Sequence, residues 1–270
     1  MTVQTAHRLD HNRNHLIDAL PAADRERWFG TLAPAFIATR RALFEPARAI
    51  DQVYFPVDAV ISLILPVEDG AGSVEVATVG AEGIAGVPPP SDGRMAPGAV
   101  CQAGGWVLSM SPKPLLQAIN GSAVVSEVVG AYLEGLQRHV TRAMACRRLH
   151  SNEERLSRWL LMRHDRIGAA TFPIRHEFIA EMLGTPRTSV TVASRVLQAA
   201  GLIANDRGVV RIIDRPGLEA LACECYGWIA AEIADAPTAE LLGCGTRRGR
   251  VTSARDTLND AHPETAPAGA

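Results

Sequence analysis

Lysine is nearly missing from this chain: 26 of its 27 basic residues are arginine, and only Lys113 is lysine. Long apolar runs are missing too. No stretch approaches the roughly 20 residues of a membrane span, and the opening MTVQTAHRLDHNRNHL has no apolar signal-peptide core. No membrane partner is expected, and the expected location is cytoplasmic. No histidine occurs between His15 and His139, which removes the usual ligand set of a metal-dependent enzyme built on strands. His7, His11 and His15 are better read as an unstructured polar tail than as haem or metal ligands. There is no phosphate-binding Gly-Lys motif and no set of nucleophile, base and orienting group, so no enzyme is expected. The five cysteines, Cys101, Cys146, Cys223, Cys225 and Cys244, are odd in number and scattered. Free thiols in a reduced compartment are expected. Cys223-Glu224-Cys225 is set aside as a metal site because no second cysteine pair follows, and neither metal nor cofactor is expected.

What is present suits two domains with cores: 270 residues, 47% of them hydrophobic. The net charge of -2 hides an uneven distribution. Residues 1–137 carry 9 Lys+Arg against 14 Asp+Glu, residues 138–215 carry 14 against 7, and residues 216–270 carry 4 against 8. A basic segment between two acidic ones is the footprint of a phosphate-backbone contact, although an arginine-rich solvated surface gives the same count.

A helix is expected around Pro21 to Leu32. From about residue 36 to 110, short apolar or alternating runs such as QVYFPV, AVISLILPV and GSVEVATVG are separated by Gly and Pro, the pattern of a β-sandwich or barrel. Between Ser122 and Leu149 proline disappears. Val125, Val129, Tyr132, Leu136, Val140 and Met144 then recur at steps of three and four, on one helical face. Val124, Val128 and Leu133 widen that face, so this helix needs partners on more than one side. Val125, Val129, Tyr132, Leu136 and Val140 are the candidate seam with an identical helix of a second chain; a single buried helix in a monomer is the alternative. Gly130 and Gly135 weaken the helix and permit close approach.

NEERLSRWLLMRHDRIG reads as a further helix, capped by Ser151 or Asn152. In HEFIAEMLGTPRTSVTVASRVLQAAGLI two short amphipathic patterns are separated by Gly-Thr-Pro. Phe178, Ile179, Met182 and Leu183 share one face of the first, and Gly184 suits its end. Thr185 is expected as N-cap of the second and as a DNA contact, and Pro186 as its first residue. Val190, Ala193 and Leu197 form its inward stripe. Arg187, Thr188, Thr191 and Arg195 face outward, with Val192 at the edge. An arginine there can donate two parallel hydrogen bonds to guanine and a threonine can touch a base edge, while Ser189 and the first amides hold a phosphate. IANDRGVVRIID reads as a β-hairpin turning at Arg207-Gly208, with Arg207 as a further DNA contact. Helix, helix-turn-helix and hairpin in that order form a winged DNA-binding unit; an exposed helical hairpin is the plainer alternative. From Gly243 onward the composition suggests disorder.

These residues resemble the Crp/Fnr superfamily of transcription regulators. RLHSNEERLSRWLLMRHDRIG, the two-helix stretch and RGVVRIIDRPGLEALACECY are similar to its DNA-binding half, and VYFP, SLILPVEDG, VEVATVGAEGIAGVP and CQAGGWVLSM to its sensor half. The resemblance covers roughly residues 15–228. It implies an α+β chain: a β-roll of cyclic-nucleotide-binding type over 15–118, a dimerisation helix over 119–149 and a winged helix-turn-helix over 150–228; beyond it, a helix end and a disordered tail are expected over 229–270. It implies a homodimer on a two-fold operator, with RNA polymerase as a further partner. Members that bind cyclic AMP place Gly-Glu at the ribose and Arg-Ser at the cyclic phosphate, where this chain has Gly86-Val87 and about Pro97-Gly98. The corresponding pocket, around Gly83, Gly86, Val87 and Arg94, therefore lacks its charged partners, and control by cyclic AMP is not expected. The rival reading is a ligand- or redox-sensing β-roll, with Cys101 a candidate thiol, whose DNA binding is vestigial.

Overall fold

The computed structural model describes residues 14–66, 72–89, 94 and 97–234. His7, His11, Cys244 and the expected tail from residue 243 lie outside them. Two short helices, α1 (His15–Asp18) and α2 (Ala22–Phe29), lead into the strands. Asn14, fully buried, caps α1 by accepting from Ile17 N, and its side-chain amide donates to the carbonyls of Pro56 and Gly83 at 3.0 and 2.8 Å. One residue thus ties the entering chain to the β-domain.

Seven strands follow: β1 (Ala33–Ile37), β2 (Ala42–Phe44), β3 (Val53–Pro56), β4 (Val60–Pro66), β5 (Ser73–Val79), β6 (Gly98–Ala103) and β7 (Gly105–Met110). They form two antiparallel sheets of order β1-β7-β3 and β2-β6-β4-β5. Ile37, Ile61, Leu63, Ala77, Val79, Cys101 and Val107 share one buried cluster. The alternation read in the sequence becomes a β-domain with an apolar interior. Helix α3 (Pro112–Gly121) leads into α4 (Ala123–Leu149), whose cap Ser122 accepts from Val125 N.

The seam assigned to α4 needs correction. Val125, Val129 and Tyr132 are buried against the chain's own α1, β3 and α3, and Leu136 and Val140 pack at the margin of the β-domain cluster. The N-terminal part of the apolar stripe is therefore consumed within the chain, while Leu136 and Val140 are half-buried and Met144 is exposed. The flank beside that stripe carries Ser126, Leu133, Gln137, Met144 and Arg148, all exposed, and Gly130, where a Cβ would meet nothing within 4 Å.

Helix α5 (Asn152–Ile167) begins with a reciprocal capping box: Ser151 accepts from Glu154 N, and Glu154 accepts from Ser151 N. Then come β8 (Thr171–Pro173), α6 (His176–Leu183), α7 (Arg187–Ala199), β9 (Ile203–Asp206), β10 (Val209–Ile212), α8 (Arg215–Leu221) and α9 (Cys225–Ala234). Strands order as β8-β10-β9. Leu156, Leu160, Ile179, Val190, Ala193, Leu197 and Leu218 belong to one core cluster, so the inward stripes of α5, α6 and α7 meet as the 3.6-residue period requires.

A polar seam joins the halves. Trp159 Nε1 donates to Glu75 at 3.1 Å, Arg163 donates to the backbone and side chain of Gln102 at 3.0 and 3.1 Å, and Ser73 donates to Glu181 at 2.6 Å. Burial raises the Glu75 carboxyl above the usual range, while bonds from Ser62 and Gln102 and the charge of Arg158 oppose the rise.

Candidate nucleic-acid interface

Helix α6 ends where Gly184 adopts the left-handed conformation, φ 55 and ψ 50. Thr185 N bonds back to Ala180 O at 3.0 Å, closing the turn. A side chain at 184 would strike the guanidinium of Arg147. Arg147 Nη2 donates to Leu183 O at 3.2 Å, and Arg155 donates to the same carbonyl. The turn between the two helices is thus gripped from α4 and α5.

Helix α7 starts one residue later than its sequence suggests: Pro186, with extended ψ 142, is the N-cap and Arg187 the first helical residue. Thr185 does not cap it. Its hydroxyl turns away to Asn152 Oδ1 at 3.2 Å, inside the protein. Along α7 the outward row is Thr188, Val192, Arg195 and Ala199, all exposed, with Val196 beside it. Val192, 56% exposed, sits in the middle of this row and not at its edge.

Arg187 and Thr191 lie on the flank that faces the wing. Thr191 Oγ1 donates to Arg187 O at 3.0 Å and lies 3.1 Å from His176 Nδ1, while His176 Nε2 lies 2.5 Å from the Asn205 side-chain nitrogen. One neutral tautomer satisfies all three groups: Nδ1–H donates to Thr191 and Nε2 accepts from Asn205. Burial lowers the His176 pKa, in keeping with that form. This imidazole fixes the wing against the recognition helix. The wing turns through Arg207 and Gly208 with φ of 47 and 80, the signs of a type I′ turn, which sets Arg207 at its tip. A cleft between the wing and the N-terminal ends of α6 and α7 is lined by Arg175, His176, Glu177, Arg187, Asn205 and Arg207. Glu177 holds Arg187 Nε at 2.9 Å.

Arg175, exposed, lines this cleft, and Arg211, exposed on the wing strand β10, adds a further cation; neither is among the contacts expected from the sequence. Arg211 carried a signal, since the hairpin's alternation turns it outward. Arg175 carried none, because only the tertiary fold brings the start of α6 beside the wing. Ser189 is half-buried at the helix start.

In the β-domain, Gly83 packs on the Tyr132 ring, whose hydroxyl donates to Ile84 O at 2.9 Å. Gly86 is buried with φ 92, and half-buried Val87 rests on the apolar core. Arg94 is exposed and bridges Ala49 in backbone pairing. Cys101 is buried, and burial pushes its thiol up to about 11, the opposite of a reactive thiolate.

Two helices meeting at a left-handed glycine, an arginine-bearing second helix exposed along one row, and a basic two-stranded wing define a winged helix-turn-helix, a DNA-binding unit. Residues 154–221 match the Crp-like helix-turn-helix domain. Solved structures with similar folds include a Crp/Fnr-family regulator from Eubacterium rectale, at TM-score 0.63 and 16% identity, covering 78% of this chain and 99% of that one. FixK2 from Bradyrhizobium japonicum gives 0.61 and 17%, covering 72% and 98%. TTHB099, a CRP-family regulator from Thermus thermophilus, gives 0.60 and 19%, covering 70% and 96%. No curated protein matches the chain. Residues 154–221 thus form a Crp-like helix-turn-helix domain, and the chain shares the fold of these solved regulators. Among the described residues no helix is long and apolar enough to cross a membrane.

Proposed function

We propose that two copies of the chain, paired along α4, place their α7 helices in successive major grooves of a two-fold operator. The observation that carries this is the exposed row Thr188-Val192-Arg195, flanked by Arg187 and backed by the arginines of the cleft and wing. Arg195 and Arg187 read guanine edges, Thr188 reads a base edge, and Val192 meets a thymine methyl. Arg175, Arg207, Arg211 and the amides near Ser189 hold phosphates. The pairing surface is the face of α4 left open by the β-domain: Gly130, Leu133, Gln137 and Met144, with Val140 at its border. Half-sites one helical turn apart, about 34 Å, need such a two-fold partner.

The β-domain reads a signal other than cyclic AMP, because Val87 offers an apolar side chain where a ribose hydroxyl would need a carboxylate. RNA polymerase is the natural further partner of a regulator that activates, and the location suited to these partners is the cytoplasm. Capture of genomic DNA fragments on the purified protein, with a gel-filtration mass, tests the reading. The expected result is enrichment of a two-fold sequence by a species of twice the chain mass. A monomer that retains DNA without sequence preference would overturn it.

A further inference from the structure

The fold gathers three cysteines and a histidine that are far apart in the sequence. Cys146 and His150 stand four residues apart at the end of α4, on one face, with His150 N bonded to Cys146 O at 3.1 Å. Cys223 and Cys225 flank Glu224, Cys223 in the connection after α8 and Cys225 as the first residue of α9. The cysteines are 0, 3 and 5% exposed and form a cluster of their own. Cys146 Sγ lies 3.5 Å from Cys223 Sγ, and Cys225 Sγ lies 3.8 Å from His150 Nδ1. The four donor atoms all lie within 4.8 Å of one another.

We propose that Cys146, His150, Cys223 and Cys225 bind one zinc-class divalent ion tetrahedrally, clamping the long helix to the DNA-binding domain. Metal–sulfur bonds of about 2.3 Å and a metal–nitrogen bond of about 2.0 Å put tetrahedral donor atoms roughly 3.5 to 3.8 Å apart. The Cys146–Cys223 and Cys225–His150 contacts fall within that spacing. A disulfide between Cys146 and Cys223 would require about 2.05 Å, and all four described cysteines are free thiols.

Two further observations point to a ligand. His150 turns Nδ1 toward the sulfurs, while Nε2 lies 3.1 Å from both carboxylate oxygens of Glu224, the outer partner that orients a metal-bound imidazole. Arg158 is 8% exposed, its Nε has no hydrogen-bond partner, and its charge acts on all three cysteines. Binding releases three thiol protons to solvent and leaves the divalent ion with three thiolates and a neutral imidazole, a net charge of -1. Arg158 supplies the counter-charge.

The ligands straddle the break at His150-Ser151, where α4 ends and α5 begins. An ion there links the last turn of α4 to the segment after α8, so the recognition helix cannot swing about that break without breaking a metal bond.

The experiment uses the full chain, purified anaerobically with reductant, stripped with a chelator and titrated with Co²⁺. The expected result is about one equivalent bound per chain, with a thiolate-to-cobalt charge-transfer band and intense visible bands of a tetrahedral centre, both lost on adding Zn²⁺. Cys223→Ser removes about a third of the charge-transfer intensity, in proportion to one of three sulfurs. Glu224→Gln, an exposed change that spares the fold, weakens metal binding about 10- to 100-fold. Cys101→Ser, in the β-domain, matches wild type. Absence of the tetrahedral bands in the wild-type chain overturns the assignment, as do unchanged bands in Cys223→Ser or unchanged affinity in Glu224→Gln. A Cys146–Cys223 disulfide in the anaerobically isolated protein overturns it as well. If Cys223→Ser does not fold, the wild-type titration and Glu224→Gln decide.

Discussion

Arg166 Nη2 lies 2.7 Å from Glu82 Oε1, with both side chains at most 10% exposed. The pair joins the last turn of α5 to the β-domain turn that leads into Ile84 and Gly86, and Arg166 Nη2 also donates to Thr78 O at 3.4 Å. A displacement of that turn would thus pull directly on the DNA-binding domain. Removing one member of a buried pair leaves the other charge uncompensated, at about 3 to 5 kcal/mol. Glu82→Leu is expected to lower the urea midpoint, whereas Glu82→Leu with Arg166→Met recovers most of the loss. A double variant no better than the single would show that the pair is not coupled.

Arg195 and Arg187 separate base reading from positioning. Arg195→Ala removes a side chain on the outward row and is expected to cost about 1 to 3 kcal/mol of operator affinity with loss of discrimination. Arg187→Ala also reduces discrimination, and because its pair with Glu177 is solvent-exposed, folding stability is expected to stay near wild type. Competition between operator and scrambled DNA checks the first claim, and thermal unfolding checks the second. Equal discrimination in wild type and both variants would remove α7 as the reading element.

Val129 and Met144 separate folding from pairing. Val129→Asp places a carboxylate inside the chain's own core, so it is expected to unfold the β-domain and not merely to dissociate a dimer. Met144→Asp, at a position 68% exposed, should leave circular dichroism unchanged and halve the sedimenting mass. A folded monomer from Val129→Asp would return the seam to the buried stripe.

His139 makes stability fall in acid. It is buried beside Arg166 and Arg158, and burial together with those charges pushes its pKa down to about 3. Between pH 6.5 and about 3 the unfolded chain binds a proton that the folded chain refuses. Stability is complete above pH 6.5 and is lost as pH falls, by up to about 1.4 kcal/mol per unit. His139→Leu should flatten that slope in urea titrations at pH 7 and 5. An unchanged slope would place the acid sensitivity elsewhere.

Cyclic AMP should change little. On the proposed reading that Val87 stands where a ribose-binding carboxylate is needed, a cyclic nucleotide lacks a contact with which to shift a two-state equilibrium. Millimolar cyclic AMP at fixed salt is expected to alter operator affinity by less than about threefold, or roughly 0.7 kcal/mol. A tenfold tightening would mean that another group binds the phosphate.

Backbone periods explain how much was readable in advance. The strands at VYFP and SVEVATV, the 3.6-residue stripes of α5 to α7, Gly184 as a helix end and Arg207-Gly208 as a hairpin turn are local consequences of chain geometry, and each stands where its sequence places it. The sequence by itself therefore determined the elements, their apolar faces and the DNA-binding class. It could not determine what covers a face. The apolar arc of α4 shows that neighbours exist, not which ones, and only packing decided that Val125, Val129 and Tyr132 serve the chain's own β-domain. Thr185 is a good capping residue, yet Asn152, 33 positions away, claims its hydroxyl. Cys223-Glu224-Cys225 lacked a second pair in sequence because Cys146 and His150 arrive from α4, and a separation of 77 residues leaves no periodic trace. Local geometry repeats along the chain and can be read from it, whereas convergence of distant side chains depends on how whole elements pack.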